Sequence, residues 1–243
     1  MGMPISVLAR GVQAPSPEAS AAVAAVFAEL RNVDATFSTY RADSAVCRIN
    51  RGELDLAGAS GDVREVAARC IAARSRTGGL FDAERPGGGW DPSGLVKGWA
   101  TERAARWLAT VDADWCLNAG GDVAVLCPSG EAFTVGIQDP ADPARVAAAV
   151  RRSRGGVATS GAAARGSHIY DPRTGRTAGG GPASVTVVGP SLETADVLAT
   201  AAFVAGAQWA DVLLAEPEYG GLAVLPDGEL LVTPDLRDVV GLS

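Results

Sequence analysis

LETADVLATAAFVAG, running from Leu192 to Gly206, is apolar on nearly every side when wound as a helix, and a helix of that kind is a buried one. Its interior nevertheless carries Asp196 and Thr200, one turn apart on the same face. A buried carboxylate left alone costs several kcal/mol, so Asp196 must be paired, protonated or bound to a cation. A buried arginine or the nearby helix N-terminus would satisfy it without any function. Carboxylate and hydroxyl oxygens together also suit a hard cation such as Mg²⁺, which prefers oxygen ligands and commonly bridges substrate phosphates.

Outward from this helix, the pattern predicts strands and helices mixed without strict alternation. Pro4 to Arg10 reads as a strand, and Ser16-Pro17-Glu18 as a helix start with Val23, Val26, Phe27, Leu30 and Val33 on its apolar face. A second helix shows Val63, Val66, Ala67, Cys70 and Ile71. A third, from about Gly94 to Leu108, turns Val96, Trp99, Ala100 and Trp107 inward, and Asp142-Pro143 opens a short fourth. Strands are expected at Trp115–Asn118, Val123–Cys127, Phe133–Ile137, Val157–Thr159 and Ser184–Val188, with a late hairpin turning at Asp227-Gly228. The expected fold class is α+β, with a mainly antiparallel sheet and packed helices, as a single domain over residues 1–243.

Composition narrows the function. The chain has 243 residues, 47% of them hydrophobic and 20% charged, enough for a packed core. Its net charge is −7, and the densest basic group is Arg151, Arg152 and Arg154. Nucleic-acid binding rests on a basic face, which this chain lacks, so a phosphate-bearing ligand needs a few local groups and a cation. Cys47, Cys70, Cys116 and Cys127 have no CxxC spacing and read as buried thiols; a single histidine, His168, removes most zinc designs. No segment approaches a membrane span and no signal segment is visible, so the expected location is cytoplasmic.

WDPSGLVKGWA (Trp90 to Ala100) supplies what an anion site needs. Asp91 and Ser93 precede Gly94 at a helix start, with Lys97 in the first turn adding a compact positive charge to the free N–H groups. The carbonyl beside Gly94 is within reach of a metal; an ordinary capped helix with a surface lysine is the plain alternative. LNAGGD (Leu117 to Asp122), VATSG (Val157 to Gly161) and SHIYDPRTG (Ser167 to Gly175) end strands in glycines, hydroxyls and a turn. His168 has the neutral-range pKa of a group that takes a proton from an attacking hydroxyl, though a lone histidine is more often structural.

FSTYRADSAVCRIN, GGLFDA, DPSGLVKGWA, LNAGGD, VATSG, SHIYDPRTG and SVTVVGPSLETADVLATAAFVAG occur in the order found in the ApbE-like FAD:protein FMN transferases, which the chain resembles from about Met1 to Gly206. The resemblance implies an α+β fold that takes FAD as substrate, with Mg²⁺ at the diphosphate held by Asp196, Thr200 and the Gly94 carbonyl. It carries flavin contacts onto Met1, Tyr40, Leu80, Phe81, Asp82, Asp91, Lys97, His168 and Ile169, and makes His168 the general base. The implied reaction moves FMN from FAD to a Ser or Thr hydroxyl of an acceptor protein and releases AMP. Water as nucleophile would instead make a FAD pyrophosphatase, and a third reading is a non-catalytic flavin-binding protein. Two features depart from many relatives: only AERPGGGW separates Asp82 from Asp91, where they carry a long insertion, and no export segment is visible.

Overall fold

The computed structural model describes residues 2–161, 169–236 and 239–241, the last three by backbone alone. Five α-helices are described: α1 (Pro17–Phe37), α2 (Ala45–Asn50), α3 (Gly61–Arg76), α4 (Ser93–Leu108) and α5 (Leu192–Ala205). The strands are β1 (Ile5–Arg10), β2 (Asp114–Ala119), β3 (Asp122–Leu126), β4 (Phe133–Gln138), β5 (Val146–Arg152), β6 (Arg154–Gly161), β7 (Tyr170–Asp171), β8 (Arg176–Thr177), β9 (Ser184–Gly189), β10 (Gly220–Val224), β11 (Leu230–Val232) and β12 (Val239–Gly241).

Local chemistry starts most helices. Ser16 accepts from the Ala19 N–H at 3.0 Å with Pro17 at the first helical position, the cap expected of that tripeptide. Ser44, Ser60 and Ser191 cap α2, α3 and α5 in the same way.

Seven strands form one antiparallel sheet in the order β1-β2-β3-β6-β9-β10-β11, as the α+β reading requires. Alternation along its strands feeds two cores. Val123, Val125, Val157, Val188, Leu222 and Val224 point to one side, against Val135, Ile137, Ala148 and Val150 of a second sheet ordered β12-β5-β4. Ala158, Val185, Val187 and Ala223 point to the other, against Leu198, Ala199 and Ala202 of α5. Helices, large sheet and small sheet thus make three layers. No helix among the described residues is long and apolar enough to cross a membrane.

Helix α4 is the centre of the helical layer, packed on α1, α5, β2 and β3. Leu95, Val96, Gly98, Trp99, Ala100 and Thr101 are all buried, because neighbours cover its first turns on several sides. At Gly98 the contact with α5 is closest: a Cβ there would lie 2.9 Å from Glu193 Cα and from the Leu192 carbonyl oxygen, and 3.0 Å from Asp196 Cβ. Glu102, one turn on, accepts from the Glu193 N–H at 3.0 Å and from Ser191 Oγ at 2.8 Å, tying the start of α5 to α4.

Four expectations are corrected. Ile71 is 71% exposed, since α3 buries a stripe centred on Val63, Val66, Cys70 and Ala73 that leaves Ile71 on its edge. Trp107 is 47% exposed, because the buried side of α4 has narrowed to Ala104 and Leu108 by its last turn. Lys97 lies in the second turn of α4, not the first, as the helix begins at Ser93. No helix opens at Asp142-Pro143: Asp142 Oδ1 accepts from the Ala144 N–H at 3.0 Å in a tight turn, and the alanine-rich run that follows is strand β5, held between β4 and β12. Tertiary pairing there overrides the helix propensity of alanine. Two cysteines, Cys70 and Cys127, are buried and two half-buried, all free; burial pushes the Cys70 thiol up to about 12.

Gly98→Ala, although it raises helix propensity, is expected to destabilise the protein by about 1–3 kcal/mol by wedging α4 from α5. Urea unfolding of the pure variant measures this, and a stabilised variant would contradict the close contact.

Candidate active site

The α4–α5 contact gathers a polar cluster inside an apolar layer. Asp196 is 1% exposed, and its Oδ2 accepts from the Gly98 N–H at 3.0 Å. In a regular helix that N–H is directed at the Gly94 carbonyl, so Asp196 competes with Gly94 for this donor. Lys97 Nζ stands 3.6 Å from Asp196 Oδ1 and 2.8 Å from Asp122 Oδ2. Asp122, 0% exposed at the start of β3, accepts through Oδ1 from the Thr159 N–H at 3.3 Å. One turn beyond Asp196, Thr200 Oγ1 lies 3.1 Å from Ser160 Oγ on β6, and Thr159 and Thr186 share a hydrogen bond of 2.8 Å.

Two buried carboxylates face one ammonium. Burial and the Asp122 charge push the Asp196 carboxyl up to about 8, against the pull of Lys97 and the Gly98 N–H. Burial pushes Asp122 up as well, opposed chiefly by Lys97. The pair therefore favours a further cation or a proton. The cation beside it is a lysine, not the buried arginine that would have made it purely structural.

A rim of loops borders this cluster. Phe81 is buried, and a Cβ on Gly94 would lie 3.1 Å from its ring, so Leu80-Phe81-Asp82 leans on the start of α4. Asp82 pairs with Arg74 at 3.0 Å, and Asp91 Oδ1 accepts from the Ser93 N–H at 3.1 Å. Burial, then the charges of Asp91 and Asp82, raise the Tyr170 phenol. Ile169 is half-buried against the α5 core. AERPGGGW forms a tight turn: the Arg85 N–H donates to the Gly89 carbonyl at 2.8 Å, the Asp91 N–H to that of Ala83 at 2.7 Å, and Gly87, Gly88 and Gly89 all take positive φ. A Cβ on Gly175 would lie 3.3 Å from Pro86, so the DPRTG turn rests on this one.

The structure brings Lys97 to Asp196, with Thr200 one turn further along α5; Gly94 lies one turn before Gly98 on α4 with Phe81 against it, and Ile169 packs on the α5 core. Tyr40 is 96% exposed on the loop after α1, with no side-chain link to the cluster. Met1 and His168 lie outside the described residues; nearby, the side chain of Met3 packs over Gly120. Sequence reasoning missed Asp122 and Ser160. Asp122 had a visible signal: in DVAVL it shares a strand face with Ala124, which meets the α5 core, so its carboxylate enters the helical layer. Among the described residues no three His, Cys, Asp or Glu side chains form a metal cluster, so any ion here relies on hydroxyl and carbonyl oxygens as well. A cavity of about 400 Å³ lined by Ala132, Arg151, Arg152, Ser153 and Arg154 sits at the other end of β6.

Comparison with known proteins agrees with this layout. The ApbE family model matches residues 1–85 and 83–225. No curated protein matches the chain. Among solved structures, the ApbE protein of Thermotoga maritima superposes with a TM-score of 0.83 at 23% identity, covering 96% of this chain and 94% of that one. The flavin transferase ApbE of Vibrio cholerae gives 0.73 at 22%, covering 98% and 100%. The flavinyl transferase ApbE of Pseudomonas stutzeri gives 0.76 at 20%, covering 96% of each. The large antiparallel sheet with its helical layer is the ApbE fold, and the chain belongs to the ApbE family.

Proposed function

We propose that this chain is a Mg²⁺-dependent FAD:protein FMN transferase, moving FMN from FAD to a Ser or Thr hydroxyl of an acceptor protein and releasing AMP. Family membership and the flavin transferases among the structural neighbours support the reaction class. One observation carries the site: a buried carboxylate, Asp196, lies one helical turn from the Thr200 hydroxyl and beside the Lys97 ammonium. We read residues 1–243 as one domain carrying the activity.

The donors fit the ion. Asp196, Thr200 and the Gly94 carbonyl offer only oxygen, and Mg²⁺ with few protein ligands keeps waters and substrate phosphates in its remaining positions. Bound there, Mg²⁺ would neutralise negative charge on the diphosphate of FAD. Lys97 would bind the same diphosphate as a point charge, with the N–H groups at the start of α4 adding to it. Leu80, Phe81, Asp82, Asp91 and Ile169, with Met1 and Tyr40, would hold the flavin end. His168 would accept the proton of the acceptor hydroxyl as its oxygen bonds to the FMN phosphorus; the P–O bond to AMP breaks and AMP leaves with the electron pair. Positioning and charge stabilisation supply most of the acceleration in transfers of this kind.

Asp196→Ala is expected to fold and to lower Mg²⁺-dependent transfer by roughly 100-fold or more, the scale of losing a charge-stabilising group. The assay is flavin fluorescence that survives denaturation on the acceptor band; full labelling by the variant would remove the metal assignment. Free FMN and AMP without labelled acceptor would instead identify water as the nucleophile. His168→Ala should slow transfer by roughly 10²–10⁴-fold, the worth of a general base, with a smaller loss in FAD affinity. Equal losses in both would make it a binding residue.

The pH dependence of stability has a definite sign. The Asp196 carboxyl is raised in the fold from 3.8 to about 8, so the native state holds the proton more tightly than the unfolded chain. Its contribution to stability is complete below about pH 4 and is lost as pH rises through about 8. Melting temperatures in EDTA should fall over that window, and saturating Mg²⁺ should flatten the fall. A metal-free melting temperature that rises across the window would contradict the buried-acid description.

A further inference from the structure

Asp122 is buried in the sheet, and its two oxygens keep different company. Oδ1 is fixed by the Thr159 N–H across the β3–β6 pairing. Oδ2 meets Lys97 Nζ at 2.8 Å in an ion pair. The same ammonium forms a longer ion pair with Asp196, 3.6 Å from its Oδ1. Lys97 therefore leaves α4 beside Asp196, yet its head is drawn past that carboxylate toward the sheet.

An ammonium and a divalent cation compete for the same carboxylate lone pairs, and the competition is strong where water is excluded. A Lys97 facing Asp196 alone would close on it as a contact pair. We propose that Asp122 is a positioning residue that holds the Lys97 ammonium off Asp196 and so keeps that carboxylate open to a divalent cation. The inference rests on the cation site of the proposed function, and it concerns how that site stays available to its ion. The Gly98 N–H acts in the same direction, engaging Asp196 Oδ2 and leaving Oδ1 as the oxygen nearer Lys97.

The test is Mg²⁺ binding by titration calorimetry, without FAD, to the wild-type protein, Asp122→Asn, Lys97→Met and the double variant, with melting in EDTA to verify folding. Asp122→Asn should weaken Mg²⁺ binding at least about tenfold; in the Lys97→Met background, with no ammonium to aim, the same change should matter less than about threefold. An equal loss in both backgrounds would mean that Asp122 acts on the ion directly, and would overturn the proposal. If Asp122→Asn does not fold, Lys97→Met alone decides: Mg²⁺ affinity changes less than about threefold if Asp122 already holds the ammonium off Asp196, and a rise of about tenfold or more, the mark of an ammonium that competes in the wild-type protein, overturns the proposal. A wild-type protein that binds no Mg²⁺ removes the cation site itself, a separate failure visible before any variant is compared.

Discussion

The candidate site depends on how closely α5 approaches α4 at Gly98. With no side chain at that position, the Asp196 carboxylate reaches the α4 backbone and takes a hydrogen bond from it. The same approach brings Lys97 beside two acids, while the packing of α5 on β6 sets Thr200 against Ser160. Burying charge is expensive, and the layers around it make the arrangement durable: Glu102 clamps the start of α5, Arg69 pairs with Glu193 at 2.9 Å, and the sheet closes the other side with Ala158, Val185 and Val187. The hydrophobic scaffold holds in place a cluster that would otherwise favour water.

Much of the fold was legible in the chain because its signals are local. Ser-Pro-Glu starts a helix wherever an apolar stripe follows, and alternating valines mark strands with two buried faces. The segments that misled are those where distant partners decide. Residues 146–152, VAAAVRR, carry helix-favouring alanines, and only pairing with β4 and β12 makes them a strand. Ile71 and Trp107 fit an apolar stripe by spacing, but burial depends on where the neighbouring helices stop.

The site was legible to the extent that it violates the rules of the core. An acid in the middle of an apolar helix demands an explanation from sequence alone, and Asp196 with Thr200 stood out for that reason. Lys97 and Gly94 followed from their place at a helix start. Asp122 escaped because two glycines before it pointed to a turn, and its contact with Lys97 spans the distance from sheet to helix. The order of short motifs carried the family likeness that single motifs could not. The turn at residues 83–90 is a short connection: consecutive glycines with positive φ reverse the chain at once and leave the Asp91 segment anchored to Ala83.

The chemistry proposed for the cluster follows from charge. Two carboxylates facing one ammonium in a low-dielectric layer call for one more positive charge, a proton or a cation, and a divalent ion would make the centre positive and suited to a diphosphate. The most direct measurement is a crystal of the protein grown with Mn²⁺ in place of Mg²⁺, with anomalous scattering locating the ion. The account predicts a peak about 2.1 Å from an Asp196 carboxylate oxygen and from the Thr200 hydroxyl, the bond length of small octahedral cations. An anomalous peak elsewhere, with Lys97 in contact with both Asp122 and Asp196 and no ion between α4 and α5, would contradict it.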